Sequence, residues 1–299
     1  MNATAPGTRP FFKYASPDTV RKILSTQSVR YSSPLAFNDP FDVQSGLHFD
    51  FDIDALPGKI IQRLSEVAAA TEAPPVDPDD VWGQLVLKIR EMYPTHGFPR
   101  ERWDREATKH FEWLTEQIKE SQNGYQHHWQ KKLLPGVRVF CVSEERDNLL
   151  MWAHYAQDHK GAVLELWSLP DEDNPLSVAR PVQYGAKPPP FFSEQDFLDD
   201  IVSIRKLDFN ALYRRYAYCK SDHWSYEREW RIWYPLAEPG LYDMTPVRAS
   251  EFRALYLGCR MQPEVKEEIL ALTRKFFPSV RVFAASKSEL EYALEYTEV

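Results

Sequence analysis

Residues 11–34 read Phe-Phe-Lys-Tyr-Ala-Ser-Pro-Asp-Thr-Val-Arg-Lys-Ile-Leu-Ser-Thr-Gln-Ser-Val-Arg-Tyr-Ser-Ser-Pro. Their punctuation sets a strand, a helix and a second strand in quick succession. The aromatic run 11–15 predicts a short strand. Ser16 suits a helix cap, Pro17 the first helical position and Asp18 the positive end of the helix dipole. Val20, Ile23 and Leu24 then share one helical face, which predicts a helix over 17–26. A second strand is expected over 29–33, stopped by Pro34. The turn Phe37-Asn38-Asp39-Pro40-Phe41-Asp42 follows. Asn38 and Asp39 can bond neighbouring backbone there, Pro40 fixes φ, and the two phenylalanines anchor the turn to a core.

Working outward, the middle of the chain reads as helical. Helices are expected over 52–71, 81–92 and 101–134, the last broken near Gly124, with a proline-rich loop at 73–80. Pro135-Gly136 predicts a turn. Strands are expected at 137–142, 161–167, 178–184, 229–234, 254–257 and 280–284, and helices at 148–157, 193–217 and 263–277. Residues 290–295 fit a last strand or a helical turn. Helices and strands mix without regular βαβ alternation, so the fold expected is α+β rather than a doubly wound parallel sheet. The reading is one domain, 1–299, with an α+β core in 11–51 and 135–299 and a helical insertion over 52–134.

Composition limits the function. The chain of 299 residues is 43% hydrophobic and 14% aromatic, enough for a sizeable core, and its net charge of −8 argues against broad binding to phosphate backbones. Cys141, Cys219 and Cys259 form neither a disulfide framework nor a zinc pattern, and read as reduced thiols. Cys141 falls in the apolar run 137–142 and reads as core. No apolar run approaches the ~20 residues of a membrane span, and residues 1–10 lack a signal-peptide plan. They are expected to form a short disordered arm on a cytoplasmic protein with no membrane partner. The 11 glycines form neither a P-loop nor a dinucleotide fingerprint, and no Gly-x-Ser-x-Gly elbow occurs. Classical ATPases, Rossmann dehydrogenases and α/β-hydrolases are therefore not expected. Among His127, His128, His154, His159 and His223 no pair has helical zinc spacing, so no metal is expected.

Two clusters carry chemistry-bearing side chains. Met151-Trp152-Ala153-His154-Tyr155, followed by His159-Lys160-Gly161, is the densest polar–aromatic group. Structurally, Met151 and Trp152 pack a core while His154 and Tyr155 satisfy buried polar groups. Functionally, His154 or His159 contacts a ligand or acts as a base. The second cluster is Trp224-Ser225-Tyr226-Glu227-Arg228-Glu229-Trp230-Arg231-Ile232. On a strand Glu227 and Glu229 share one face, and Arg228 and Trp230 the other. The structural reading pairs Glu229 with Arg231 or a nearby lysine across the sheet.

Three segments together resemble the family called domain of unknown function 2971. They are Lys13-Tyr14 with Arg30-Tyr31-Ser32-Ser33-Pro34 and the 37–42 turn; Phe140-Cys141-Val142-Ser143 with Leu150–Tyr155 and His159–Gly161; and 224–232. Their order is also similar to the ADP-ribosyltransferase superfamily. That resemblance implies a split mixed or antiparallel sheet and NAD as substrate. It places Lys13 at the first motif position, Ser32 or Ser143 at the second, and Glu229 at the third as catalytic carboxylate. Lys13 stands where the superfamily has His or Arg, and no Ser-Thr-Ser triplet is present. The resemblance further implies Tyr14 or Tyr155 stacking on nicotinamide, Glu227 beside the ribose, and Asn38, Asp39, Trp152 and His154 as walls. A carboxylate there can stabilise the oxocarbenium-like charge or take the acceptor's proton. The opening segment looks like the nucleic-acid-modifying toxin branch, which implies a toxin or phage-defence effector with a neutralising partner protein. The acceptor is left open between protein and nucleic acid, and water as acceptor gives an NAD glycohydrolase. Two other classes stand beside this one: a non-catalytic nucleotide-sensing or protein-binding module, and a metal-dependent nuclease.

Overall fold

Ser16 accepts a hydrogen bond from the Thr19 amide and caps the helix Pro17–Thr26, with Pro17 in its first turn. Ser16→Ala is expected to lower the unfolding free energy by about 1 kcal/mol, read from urea denaturation. The helix joins β1 (Arg9–Ala15) to β2 (Ser28–Ser32). The computed structural model describes residues 8–72, 75–92, 100–235, 238 and 240–299. Residues 1–7 of the expected disordered arm, and residues 73–74 of the proline-rich loop, lie outside the described residues. Residues 9 and 10 of that arm are strand, because Arg9 and Pro10 pair with Ser168 and Trp167.

The chain divides into two compact units: 1–44, 133–187 and 218–299 in the first, 45–132 and 188–217 in the second. The first unit holds β3 (Val137–Ser143), β4 (Ala162–Ser168), β5 (Arg180–Pro181), β6 (Gln183–Gly185), β7 (Cys219–Ser221), β8 (Glu229–Pro235), β9 (Tyr242–Pro246), β10 (Phe252–Leu257), β11 (Arg281–Lys287) and β12 (Leu294–Glu298). The main sheet runs β12-β11-β10-β4-β1-β3-β2-β9, with β8 pairing β3 and β5. β10 and β11 are parallel, whereas β1–β4 and β3–β8 are antiparallel over full-length registers. The fold is thus α+β with a mixed sheet. β6 and β7 form a separate two-stranded parallel pair.

Alternation along β1 builds two cores. Phe11 and Ala15 join Leu164 and Leu255 under Val20, Ile23 and Leu24 of the first helix and Ile269 and Leu270 of the helix Pro263–Phe276. Phe12 and Tyr14 face the other side and pack with Met151, Trp152, Val163 and Tyr256. β1 and β3 share one register pair, Phe12↔Ser143. Beside this short pairing the two strands line a cavity.

The second unit contains the helices Leu56–Ala69, Val81–Met92, Arg100–Thr108, Phe111–His127, Glu194–Ile201 and Phe209–Ala217. Its centre is aromatic: Trp129 stacks on Tyr213 at 5.5 Å, and Phe191 lies 4.8 Å from the same ring. The helical stretch expected at 52–134 thus falls mostly in a unit that also takes in 188–217.

Several elements depart from expectation. The helix over 101–134 breaks at Lys109 and His110, not at Gly124, which lies inside Phe111–His127. A π-helical turn His128–Leu133 and a single turn Leu134–Gly136 stand where the Pro135-Gly136 turn was expected. The helix over 193–217 splits in two because the Asp200 carboxylate accepts the Leu207 amide and Ser203 takes φ +62°, a left-handed conformation. The strand at 178–184 is instead a 3₁₀ turn, Pro175–Val178, capped by Asn174, followed by the short β5 and β6. The last element is the strand β12. β7 spans three residues without apolar alternation, and β9 alternates Tyr242 and Met244 with Asp243 and Thr245 but leaves the tyrosine and the methionine exposed; neither strand was expected. No helix among the described residues is long and apolar enough to cross a membrane.

Candidate functional site

The site grows from the start of β8. Glu229 and Arg231 are two apart, so they share a face of the strand, and both are buried. The Arg231 guanidinium grips Glu229 with Nε to Oε1 at 2.7 Å and Nη2 to Oε2 at 3.1 Å. Nη2 also meets Asp42 Oδ2 at 2.6 Å. Lys220 comes in from β7. Its Nζ lies 2.6 Å from Glu227 Oε2, 3.0 Å from Glu229 Oε2 and 3.3 Å from Asp42 Oδ2. Such a network is tolerable in a protein interior only because each charge has an opposite partner and aligned hydrogen bonds.

Glu227 reaches this network by a route the alternation did not foresee. The strand begins at Glu229, not before, so Glu227 ends the 3₁₀ helix Asp222–Glu227. Arg228 between them takes a left-handed conformation, φ +46°. That turn, rather than a shared strand face, brings both carboxylates to one ammonium. The Glu227 Oε1 accepts from the Tyr155 hydroxyl at 2.5 Å, and the Glu227 carbonyl accepts from Ser143 Oγ at 2.7 Å.

A cavity of about 110 Å³ opens over these groups. Of the residues read from sequence, Lys13, Tyr14, Asn38, Ser143, Tyr155, Glu227 and Glu229 line it. Lys13 Nζ donates to the Cys141 carbonyl at 2.8 Å, and the Tyr14 hydroxyl donates to the Glu145 carbonyl at 2.9 Å. The other four sit outside the lining. Ser32 pairs with Val139 in the sheet, and Asp39 accepts the Phe41 amide at 2.9 Å to shape its turn. Trp152 is fully buried and meets Tyr14 edge-on at 5.7 Å, so it supports the wall from behind. His154 is exposed, with Nδ1 2.9 Å from the Tyr226 hydroxyl. His159 stacks on Trp152 at 6.0 Å.

The environments set the titrating groups apart. Burial pushes Glu227 above the usual carboxylate range, helped by the neighbouring Glu229 charge and opposed by Lys220 and Tyr155. Burial acts on Glu229 in the same sense, but Arg231 and Lys220 overcome it and hold that carboxyl far below its usual range. Burial lowers Lys13, with the carboxylates at Glu229 and Glu227 offsetting part of the effect. Lys220 moves the other way, since Glu229, Asp42 and Glu227 outweigh its desolvation. The Cys141 thiol is pushed well up by burial and is no nucleophile at neutral pH. Among the described residues, no group of three or more His, Cys, Asp and Glu side chains is arranged to hold a metal ion.

Asp42 and Lys220 carry no site signal in the sequence, and Arg231 was expected only as a structural partner of Glu229. Arg231 had a signal, the period-two spacing from Glu229. Asp42 closes the 37–42 turn, but its role depends on a guanidinium 189 residues away. Lys220 had none, because β7 spans three residues of no pattern.

No curated protein and no solved structure matches the chain. A family model described as "Protein of unknown function (DUF2971)" matches residues 151–232, so the chain is similar to that family over the segment carrying Met151, Tyr155, Lys220, Glu227 and Glu229 of the cavity.

Proposed function

We propose that this cavity cleaves the nicotinamide–ribose bond of NAD, as an ADP-ribosyltransferase-like enzyme or an NAD glycohydrolase, with Glu227 as the reacting carboxylate. The observation that carries the reading is the division of labour between two carboxylates on one cavity. Glu229 has both oxygens held by Arg231 and serves to position Lys220 and Arg231. Glu227 is held by the Lys220 ammonium and the Tyr155 hydroxyl, lines the cavity, and has its proton affinity raised by burial. Two carboxyls driven apart by their surroundings are the usual mark of an acid–base assignment. This moves the catalytic role from Glu229 to its neighbour.

In the step envisaged, the bond between ribose C1′ and the nicotinamide nitrogen breaks, and its electron pair leaves with neutral nicotinamide. The Glu227 carboxylate stabilises the oxocarbenium-like ribose. Water or an acceptor hydroxyl adds to C1′ and gives its proton to Glu227. Tyr14 and Tyr155 offer ring faces to nicotinamide, and Lys13 offers a cation near the phosphates. The mixed sheet, with a late glutamate strand beside β3, supports the ADP-ribosyltransferase-like fold that this reading includes. The toxin or defence role, with a protein or nucleic-acid acceptor and a neutralising partner, belongs to the same proposal.

The test is nicotinamide release from NAD, followed by chromatography across pH. Glu227 must be ionised to take a proton. The rate is therefore expected to climb with pH through a midpoint above the ~4.3 of free glutamate. No release at any pH where the protein is folded contradicts the proposal. One observation favours a second reading, a nucleotide-binding module without turnover: Arg231 and Lys220 already engage Glu229, Oε2 of Glu227 and Oδ2 of Asp42, and Tyr155 holds Oε1 of Glu227. NAD binding with no nicotinamide release would select it.

A further inference from the structure

Asp42 is the carboxylate at this cavity with an oxygen to spare. The residue is 4% exposed and lines the cavity. Its Oδ2 is taken by Arg231 at 2.6 Å and Lys220 at 3.3 Å. Its Oδ1 is buried and has no hydrogen-bond partner among the described residues. A buried acceptor left unpaired is costly, and native proteins keep one where something else completes it. The neighbouring carboxylates need no such completion. Both oxygens of Glu229 are held by Arg231, and those of Glu227 by Tyr155 and Lys220.

The surrounding wall says what shape of donor fits. Phe12, Tyr14, Phe37 and Met151 make it apolar and largely aromatic. A cavity of about 110 Å³ is near the ~150 Å³ known to accept benzene, and far too small for a dinucleotide. One flat ring can enter while the rest of a larger ligand stays at the mouth.

We propose that the ring seated here carries a primary carboxamide whose N–H donates to Asp42 Oδ1, so that Asp42 selects the amide over the corresponding acid. This rests on the NAD reading above, and it makes Asp42 the residue that distinguishes nicotinamide from nicotinate. An amide NH₂ brings an N–H donor to the orphaned oxygen. A carboxylate brings only lone pairs and a negative charge, and leaves the oxygen unpaired. A site built to bond a donor rejects an analogue lacking it far more strongly than an apolar pocket rejects a change of size.

The test uses the full chain with a ligand series. Calorimetry at neutral pH compares benzamide with N,N-dimethylbenzamide and benzoate. Cleavage assays compare NAD with nicotinic acid adenine dinucleotide. Benzamide is expected to bind about tenfold or more tightly than either analogue, and NAD to be cleaved at least about tenfold faster than the acid dinucleotide. Asp42→Asn, if it folds by circular dichroism, is expected to erase the difference. Equal cleavage of the two dinucleotides overturns the Asp42 assignment and leaves the NAD reading standing. Amide-selective ring binding without cleavage supports the assignment while the catalytic reading fails. Absence of both ring binding and cleavage overturns both.

Discussion

Replacing Arg231 with Met is expected to lower the unfolding free energy by about 3–5 kcal/mol, the usual cost of removing one partner from a buried ion pair. Arg231 is fully buried, and its guanidinium serves two buried carboxylates, Glu229 and Asp42. Met would leave Asp42, Glu227 and Glu229 facing the single ammonium of Lys220. Domains are held by only ~5–15 kcal/mol, so the variant would sit near its limit. Urea unfolding at neutral pH reads the loss, and a change below about 1 kcal/mol would show that the network carries little. Adding Glu229→Leu to Arg231→Met is expected to recover part of the loss, because an apolar pair can replace a buried ion pair at little cost. Glu229 has a depressed pKa in the folded protein, so its contribution is present above the ~4.3 of the unfolded chain and is lost as pH falls through the folded value. Glu227 has a raised pKa, so its contribution is present below the unfolded value and is lost as pH rises through the folded one.

Glu227→Gln is expected to slow nicotinamide release by about 10²–10⁴-fold, the range associated with a single positioned acid–base group. The fold should scarcely notice. Gln keeps the shape of the side chain and a carbonyl oxygen for Tyr155 or Lys220, and Lys220 retains Asp42 and Glu229. Since the ionised form of Glu227 is the one disfavoured by burial, its neutral isostere should change stability at neutral pH by no more than about 1 kcal/mol. A full loss of turnover with an unchanged unfolding midpoint separates a chemical role from a structural one. Turnover within a factor of about two of the wild type would remove Glu227 from the reaction.

What could be read from the sequence was what neighbouring residues decide. The helix Pro17–Thr26 was legible to the residue, because Ser16, Pro17 and Asp18 carry its start locally. Helix Val81–Met92 and strand β8 were legible from periodicity in the same way. The break between Glu194–Ile201 and Phe209–Ala217 was hidden, since Ile204 and Leu207 keep helical spacing across it while the Asp200 carboxylate does the breaking. The site shows the same divide. Glu229 was singled out by the resemblance to the ADP-ribosyltransferase superfamily, Glu227 by its two-residue spacing from it, and Tyr155 by the polar–aromatic cluster around it. The left-handed Arg228 was missed because Glu-Arg-Glu-Trp-Arg reads as unbroken alternation, while in the fold its amide donates to the Ser225 carbonyl and its carbonyl accepts the Glu144 amide. Lys220 and Asp42 gain meaning only from carboxylates and a guanidinium that folding brings to them.

At this cavity one environment locks the Glu229 carboxyl while the adjacent one leaves the Glu227 carboxyl free to exchange protons. Carbon-13 titration of the glutamate carboxyls, with Glu227→Gln and Glu229→Gln to assign the two signals, measures this directly. Glu227 is expected to titrate with a midpoint above the ~4.3 of a free side chain, and Glu229 to stay ionised until the protein unfolds in acid. A Glu229 signal that titrates first, or a Glu227 midpoint below that of free glutamate, would contradict the account.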